Sequence, residues 1–346
     1  MSNDKTVLVL GATGGIGAEV ARQLVDAGWA VRAMHRSGGA GRVPQLGMTW
    51  VRGDALNRDD VAAAAQGCSV IVHAVNPPGY QRWSELVLPM LQSTLAAAQA
   101  QGATIVLPGN VYNYGPDAFP VAREDSPQHP LSSKGRIRVD MEAALKAATH
   151  RGCRAIVVST GDFFGPGAGN NWFSQALVKP QKPVRTVYLP GTPGVPHQWG
   201  YLPDVARTMV ELLACRDSLP AFASFHMAGH VDEDGRTMGE AIQRVVQRQG
   251  FRTPRLAAFP WTLIRMASWF SAQPRELLEM RYLWETEVRL ANHRLLSVLG
   301  YEPHTPLDEA VETTLRGLGC LPQAREHLRQ QEAGSTDEAR AVATTD

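Results

Sequence analysis

The apolar run Thr6-Val7-Leu8-Val9-Leu10 leads straight into Gly11-Ala12-Thr13-Gly14-Gly15-Ile16-Gly17, and this junction limits the fold more than any other feature of the 346 residues. A short apolar strand that feeds a glycine-rich turn and then an amphipathic helix is the opening of a βαβ unit. Each glycine has its own task there. The first permits the tight turn, the middle one lets the backbone approach a ligand, and the last lets the helix pack closely on the strand. The helix N-terminus presents unpaired N–H groups and the positive end of its dipole, which together suit a diphosphate. Gly11, Thr13, Gly14, Gly15, Ile16 and Gly17 are therefore expected to contact a dinucleotide.

The next 150 residues repeat the alternation. Strands are expected at 5–10, 30–34, 49–51, 69–74, 103–107 and 154–158, with helices at 15–27, 84–100 and 133–148, the second interrupted near Pro89. Strands alternating with helices of this length build a doubly wound parallel sheet. Residues 161–200 are rich in Gly, Pro and aromatics, and regular patterning returns with a helix at 204–214, a strand at 222–228 and a helix at 238–249. From 251 to 318 the pattern is helical, ending in a helix at 307–315. The expected fold class is α/β, a doubly wound parallel (Rossmann) sheet with a smaller, mostly helical C-terminal substrate domain. Residues 1–165, rejoined by 198–230, form the nucleotide domain; 166–197 and 231–320 form the substrate domain; 323–346 read as a disordered polar tail.

Composition removes several partners. With 44% hydrophobic and 19% charged residues and a formal net charge of +1, the chain has no broad field for nucleic acid or an anionic membrane. The N-terminus shows no signal-peptide core, and the most apolar late stretch, 259–270, is short and contains Arg265. Cys68, Cys153, Cys215 and Cys320 lie far apart without metal-ligand spacing, which reads as free thiols in a reducing compartment. A cytoplasmic protein with a small-molecule partner, and without a metal, is expected.

The end of the second strand reports on the ribose. An acidic residue there holds both ribose hydroxyls of NAD. This chain has His35-Arg36-Ser37, and a guanidinium can grip a 2′-phosphate with two N–H groups, so NADP is expected, with NAD as the alternative. After the third strand, Asp54 and Ala55 stand where an adenine amino group would be met. Asp54 equally suits a cap for a helix beginning near Asp59.

Further motifs make the chain resemble the extended short-chain dehydrogenase/reductases, the NAD-dependent epimerase/dehydratase family, across residues 5–315. They are the Gly11/Gly14/Gly17 spacing, Val72-His73-Ala74, Tyr114-Gly115-Pro116, Phe164-Gly165-Pro166, Tyr201-Leu202-Pro203-Asp204-Val205-Ala206 and Leu299-Gly300-Tyr301-Glu302-Pro303. The resemblance implies His73, Ala74 and Val75 beside the nicotinamide ribose, Phe164 near the carboxamide, and a homodimer formed through helices 84–100 and 133–148.

The family's catalytic residues are replaced. Asn110 stands where the family has Ser, Lys134 where it has the catalytic Tyr, and Arg138 where it has the Lys four residues on. Lys134 and Arg138 share a helix face and repel by roughly 0.2–0.5 kcal/mol, a cost that an anion or an oxygen-rich ligand would remove. Arg138 can hold ribose hydroxyls. Lys134, in the first helical turn, suits proton donation to a carbonyl oxygen, as isoflavone-reductase-like relatives use a lysine. Asn110 can hydrogen-bond the same oxygen, and Tyr112 and Tyr114 are nearby phenols. His197 occupies the place of the family's diphosphate-gripping Arg. With Tyr80, Tyr114, Phe163, Asn171, Trp172 and Trp199 it makes up the candidate substrate contacts, which suggest an apolar carbonyl compound. Each of these aromatics equally suits core packing, and Asn170-Asn171 equally suits a helix cap. The expected function is NADP-dependent hydride transfer to or from a small carbonyl or alcohol. The alternatives are a sugar epimerase or dehydratase, and a non-catalytic NADP-binding sensor.

Overall fold

A computed structural model of the protein describes residues 5–37, 47–77, 82–169, 171–270 and 272–322. The chain begins β1 (Thr6–Leu10), α1 (Gly15–Asp26), β2 (Ala30–His35), β3 (Met48–Arg52), α2 (Arg58–Ala65), β4 (Val70–His73), α3 (Trp83–Gln101) and β5 (Thr104–Pro108). It continues with β6 (Val121–Ala122), α4 (Ser133–Thr149), β7 (Arg154–Ser159), β8 (Asp162–Phe164), β9 (Thr186–Leu189), β10 (His197–Tyr201), α5 (Leu202–Ala214) and β11 (Phe222–His226). The last stretch holds β12 (His230–Asp232), α6 (Thr237–Arg248), β13 (Arg255–Ala258), α7 (Trp261–Ala267), α8 (Ala272–Glu279), β14 (Arg289–Leu290), α9 (His293–Leu299) and α10 (Leu307–Gly317).

Seven parallel strands form one sheet in the order β3-β2-β1-β4-β5-β7-β11. Both faces are covered, as a parallel sheet requires. Alternate residues of β1 go to opposite sides. Val7 and Val9 pack with α1 and α5, through Val20, Leu24, Val205 and Met209, while Leu8 and Leu10 pack with α2, α3 and α4. The strand order reverses beside β1, so the crevice for a ligand opens at the carboxyl ends of β1 and β4. A third apolar cluster collects residues from 111–122, 164–201 and 238–321. Among the described residues, no helix is long and apolar enough to cross a membrane.

Two expectations about elements are corrected. Helix α3 is not interrupted at Pro89 but runs unbroken from Trp83 to Gln101. A proline inside a helix costs about 3 kcal/mol. Burial of Trp83, Val87, Met90, Leu91 and Leu95 on this helix, at about 1.5–3 kcal/mol for each large apolar side chain, outweighs it. The late part of the chain also holds more strand than its helical pattern suggests. β13 pairs with β9, β14 with β6, and β10 lies between β8 and β12. These strands have two to five residues, too few to show an alternation of period two. The notebook of motifs also finds a structural task late in the chain: Glu302 accepts from the N–H groups of Ala228 and Gly229 at 2.9 and 2.7 Å, tying the end of β11 to the last segment.

Candidate active site

Geometry at the glycine loop is dictated by close approach. Gly11 has φ +89°, and a Cβ there would lie 2.4 Å from the carbonyl oxygen of Ala74. A Cβ on Gly17 would lie 2.2 Å from the carbonyl oxygen of Gly11. These two glycines bring β1, the end of β4 and α1 into backbone contact. Gly14 differs, since a Cβ on it would meet only the Gly11 oxygen, at an ordinary 3.4 Å, and the residue is exposed. It precedes α1 without a side-chain cap, and no acidic residue stands in the first turn. The first N–H groups of α1 are thus left to an external acceptor, beside the exposed Thr13 and the half-buried Gly15 and Ile16. An open, uncapped and carboxylate-free helix N-terminus fits the diphosphate of a dinucleotide.

At the end of β2, Arg36 is exposed, and His35 holds Ser37 through Nδ1, 2.9 Å from its Oγ. No carboxylate occurs in His35-Arg36-Ser37. After β3, the Asp54 carboxylate accepts from the N–H of Leu56 at 3.0 Å, with Ala55 buried beside it. The capping role weighed for Asp54 belongs instead to Asn57, whose Oδ1 accepts from the N–H groups of Asp59 and Asp60. Asn57 sits immediately before the first helical residue, where a cap must be.

His73 closes β4 and is fully buried. Burial, and then the charge of Arg138, push its pKa down to about 3, so the ring is neutral. The Thr94 hydroxyl donates to Met90 O, so the 2.8 Å contact between His73 Nδ1 and Thr94 Oγ1 places the ring proton on Nδ1. Nε2 is then a buried acceptor with no hydrogen-bond partner in the protein. It stands on the strand whose continuation, Ala74-Val75, passes under Gly11. Arg138 reaches the same region from α4. Its Nη1 donates to Pro108 O at 3.2 Å, and its guanidinium lies 5.1 Å from the centre of the Trp83 ring. One turn on, Glu142 accepts from Asn113 and Gln128, at 2.8 and 2.9 Å, and burial raises its pKa.

The candidate proton-handling residues gather where β5 ends and α4 begins. Asn110 is buried, and its Oδ1 accepts from the N–H of Tyr112 at 3.0 Å, which starts a turn of 3-10 helix over Val111–Asn113. Gly135 lets α4 approach that turn, since a Cβ on it would lie 2.2 Å from Tyr112 O. Lys134 therefore stands beside Tyr112. Its ammonium pairs with Glu276 of α8 at 3.0 Å, and Glu279 of the same helix accepts from the N–H and Oγ of Ser133. The anion expected to relieve Lys134 and Arg138 is thus supplied by the protein itself. Tyr112 donates to Asp162 Oδ1 at 2.7 Å, and Asp162 Oδ2 lies 3.0 Å from His197 Nε2.

The proposed substrate contacts fall into two groups. His197, Trp172 and Trp199 are buried, and so is Phe164, which packs against Phe173, Tyr201, Trp199 and His230. Trp172 and Trp199 both pack against Trp284, so these indoles form core rather than an open wall. Tyr114 is also buried, with its hydroxyl 2.8 Å from His226 Nε2. Phe163 is half-buried, and Asn171 takes the capping alternative: its Oδ1 accepts from the N–H of Ser174 at 2.8 Å. Tyr80, Asn170 and the 323–346 tail lie outside the described residues. Asp162 and Glu276 escaped the sequence reading. A lone carboxylate between two apolar runs marks Asp162, whereas Glu276 carries no local signal.

The NAD dependent epimerase/dehydratase family model matches residues 7–227. No curated protein matches the chain. Among solved structures, MoeE5 in complex with UDP-glucose and NAD is similar with a TM-score of 0.68 at 21% identity, over 90% of this chain and 98% of that one. UDP-glucuronic acid 4-epimerase from Bacillus cereus, in complex with UDP-glucuronic acid and NAD, gives 0.69 at 17% identity, over 90% and 98%. The Bordetella bronchiseptica enzyme WbmH, in complex with NAD+, gives 0.66 at 17% identity, over the same shares. At these identities the likeness establishes the fold alone. The family match is broader in meaning: it spans more than half of the chain, from β1 through β11. The chain belongs to the NAD-dependent epimerase/dehydratase family.

Proposed function

We propose that this protein is an NADP-dependent oxidoreductase acting on a carbonyl or alcohol carbon of a small molecule. The observation that carries the reading is the open α1 N-terminus, framed by Gly11, Gly14 and Gly17 and accompanied by Arg36 with no acidic neighbour on the end of β2. Gly14, Gly15 and Ile16 would hold the diphosphate, Arg36 the 2′-phosphate, and His73 and Arg138 the nicotinamide ribose. When bound, the nicotinamide supplies or accepts a hydride. Asn110 and Lys134 orient the substrate oxygen, and the Lys134 ammonium offsets charge developing on it. The substrate proton passes through the Tyr112 hydroxyl, because Tyr112 is joined to a buried proton-bearing pair whereas Lys134 is held by Glu276. With Trp172 and Trp199 packed as core, the case for an apolar substrate narrows to Phe163 and Tyr112, and the reading extends no further than a carbon–oxygen centre. A homodimer through α3 and α4 belongs to the same proposal, and sedimentation of the purified chain tests it.

Titration with NADPH and NADH in parallel, followed by NADPH consumption over a panel of carbonyl compounds, tests the function. Tighter binding of NADPH and a measurable turnover are expected. Lack of affinity for either nucleotide would end the proposal. Family membership favours a second reading, a sugar epimerase or dehydratase, and the solved relatives hold UDP-sugars. Against it, the place of the diphosphate-gripping Arg holds His197, buried and stacked on Trp284 with 3.6 Å between ring centres. Conversion of a UDP-sugar without net NADPH consumption would select that reading.

A further inference from the structure

Behind Tyr112 lies an arrangement with more polar machinery than packing needs. Asp162 sits on β8 and His197 on the neighbouring β10, and both side chains are buried. Trp284 lies face to face with the imidazole, with 7° between the planes, and Trp199 meets it edge-on at 5.0 Å, so the ring is fixed in its plane. Nδ1 faces Leu283 O at 3.3 Å and Nε2 faces Asp162 Oδ2 at 3.0 Å. A carbonyl oxygen only accepts. One proton therefore sits on Nδ1, and a second is shared between Nε2 and Oδ2. The other carboxylate oxygen, Oδ1, accepts from the half-buried Tyr112 hydroxyl. An unbroken path thus runs from a buried imidazole through a carboxylate to a phenol beside Lys134.

Other groups near the path are few among the described residues. The hydroxyl of Tyr282 is buried near Asp162, and burial first, then that carboxylate, push its pKa up to about 12. Asp232 faces His197 across β12 but spends its carboxylate on the N–H groups of Thr237 and Met238. Lys134 and Glu276 neutralise each other at the entrance.

We propose that Asp162 and His197 are positioning residues that orient the Tyr112 phenol and restore its proton. This rests on the reading of Tyr112 as the group that passes the substrate proton. In the reducing direction, a hydride from the nicotinamide forms the new C–H bond and the carbonyl π pair moves to oxygen. That oxygen takes the proton of Tyr112. The phenolate takes a proton from Asp162 Oδ1 as the shared proton moves from His197 Nε2 onto Oδ2. The carboxylate gains one proton and loses one, the imidazole keeps only Nδ1–H, and the alcohol holds the proton the pair has lost. The oxidising direction runs the same transfers backward.

The test needs no substrate. Ionisation of tyrosine is followed by ultraviolet absorbance against pH in the full chain and in Y112F, D162N and H197Q, and the transition missing from Y112F is that of Tyr112. Removing the carboxylate's charge in D162N moves this transition to lower pH. Removing its counterpart in H197Q moves it to higher pH, each by about one to three pH units. A merely structural pair, whose loss loosens the pocket, would move both the same way. A Tyr112 transition that stays in place, or moves alike in both variants, overturns the proposal. Should the buried variants fail to fold, the His197 ring-nitrogen NMR signals in the wild type and Y112F decide. Loss of the phenol donor shifts the Nε2–H signal if the path is coupled, and an unchanged signal refutes coupling. Opposed shifts in a chain that binds no nicotinamide cofactor would sink the oxidoreductase reading while upholding the coupled path.

Discussion

Replacing Gly17 with alanine tests the cradle most directly. The new Cβ would stand 2.2 Å from the carbonyl oxygen of Gly11 and 2.7 Å from its carbonyl carbon. Ordinary contact requires a shift of about 1 Å. Both obstacles are backbone, so no rotamer relieves them. Alanine gains about 1 kcal/mol over glycine inside a helix, and forced overpacking costs about 1–3 kcal/mol. With a backbone clash at the upper end of that range, the clash prevails and the net loss is about 1–2 kcal/mol. The ligand feels the shift more sharply. Moving the first N–H groups of α1 by about 1 Å takes hydrogen bonds to a diphosphate out of range, and losing one charge-assisted bond costs about 1.5–3 kcal/mol, tenfold or more in affinity. Gly14→Ala is the matched control. Its Cβ makes only the 3.4 Å contact, and φ is −90°. It should leave the urea midpoint within about 0.5 kcal/mol of wild type while obstructing the open mouth of the loop. Urea unfolding and fluorescence titration with NADPH read both effects. Wild-type affinity and midpoint in Gly17→Ala would refute the account of the loop.

Arg36→Glu should reverse cofactor preference, weakening NADPH by tenfold or more and sparing NADH, as measured by parallel titration. Unchanged selectivity would remove Arg36 from the site. Lys134→Met should abolish NADPH consumption and leave nucleotide binding in place. Because the pair with Glu276 is partly exposed, it should also change stability by less than about 1 kcal/mol. Acid should weaken the fold. Burial lowers the pKa of His73 to about 3, and of His226 and His230 to about 4, from 6.5. Between those values the unfolded chain binds more protons, so stability is full above pH 6.5 and is lost as the pH falls toward 4. The contribution is on the order of 2 kcal/mol for each ring between pH 7 and pH 5. A urea midpoint flat across that range would contradict the neutral, buried assignment.

The sheet was legible because its strands carry their own evidence. Val70–His73 is apolar throughout and buried on both faces, and the glycines after β1 have a spacing that only a strand, turn and helix can use. Individual side chains of the site were less legible. Asn110, Tyr112 and Lys134 could be singled out by their distance from fixed motifs, and they do gather at one place. Their partners could not, because Glu276 and His197 reach them through long-range contacts between segments with no common pattern. The aromatics show the opposite difficulty. A tryptophan in a glycine-rich segment suits a pocket wall and a core equally well, and only packing against Trp284 distinguishes the two. Pro89 likewise depends on what its helix buries.

The strand order has a consequence for how such a chain can diversify. Everything that frames the glycine cradle is encoded before Pro108, whereas the third apolar cluster draws most of its side chains from later segments, threaded between and after β7 and β11. Insertions and exchanges there need not disturb the nucleotide-facing strand ends. One inherited half can accordingly serve new chemistry whenever the other half is rewritten, with Gly135 and Asp162 as the narrow seam across which the two must stay in step.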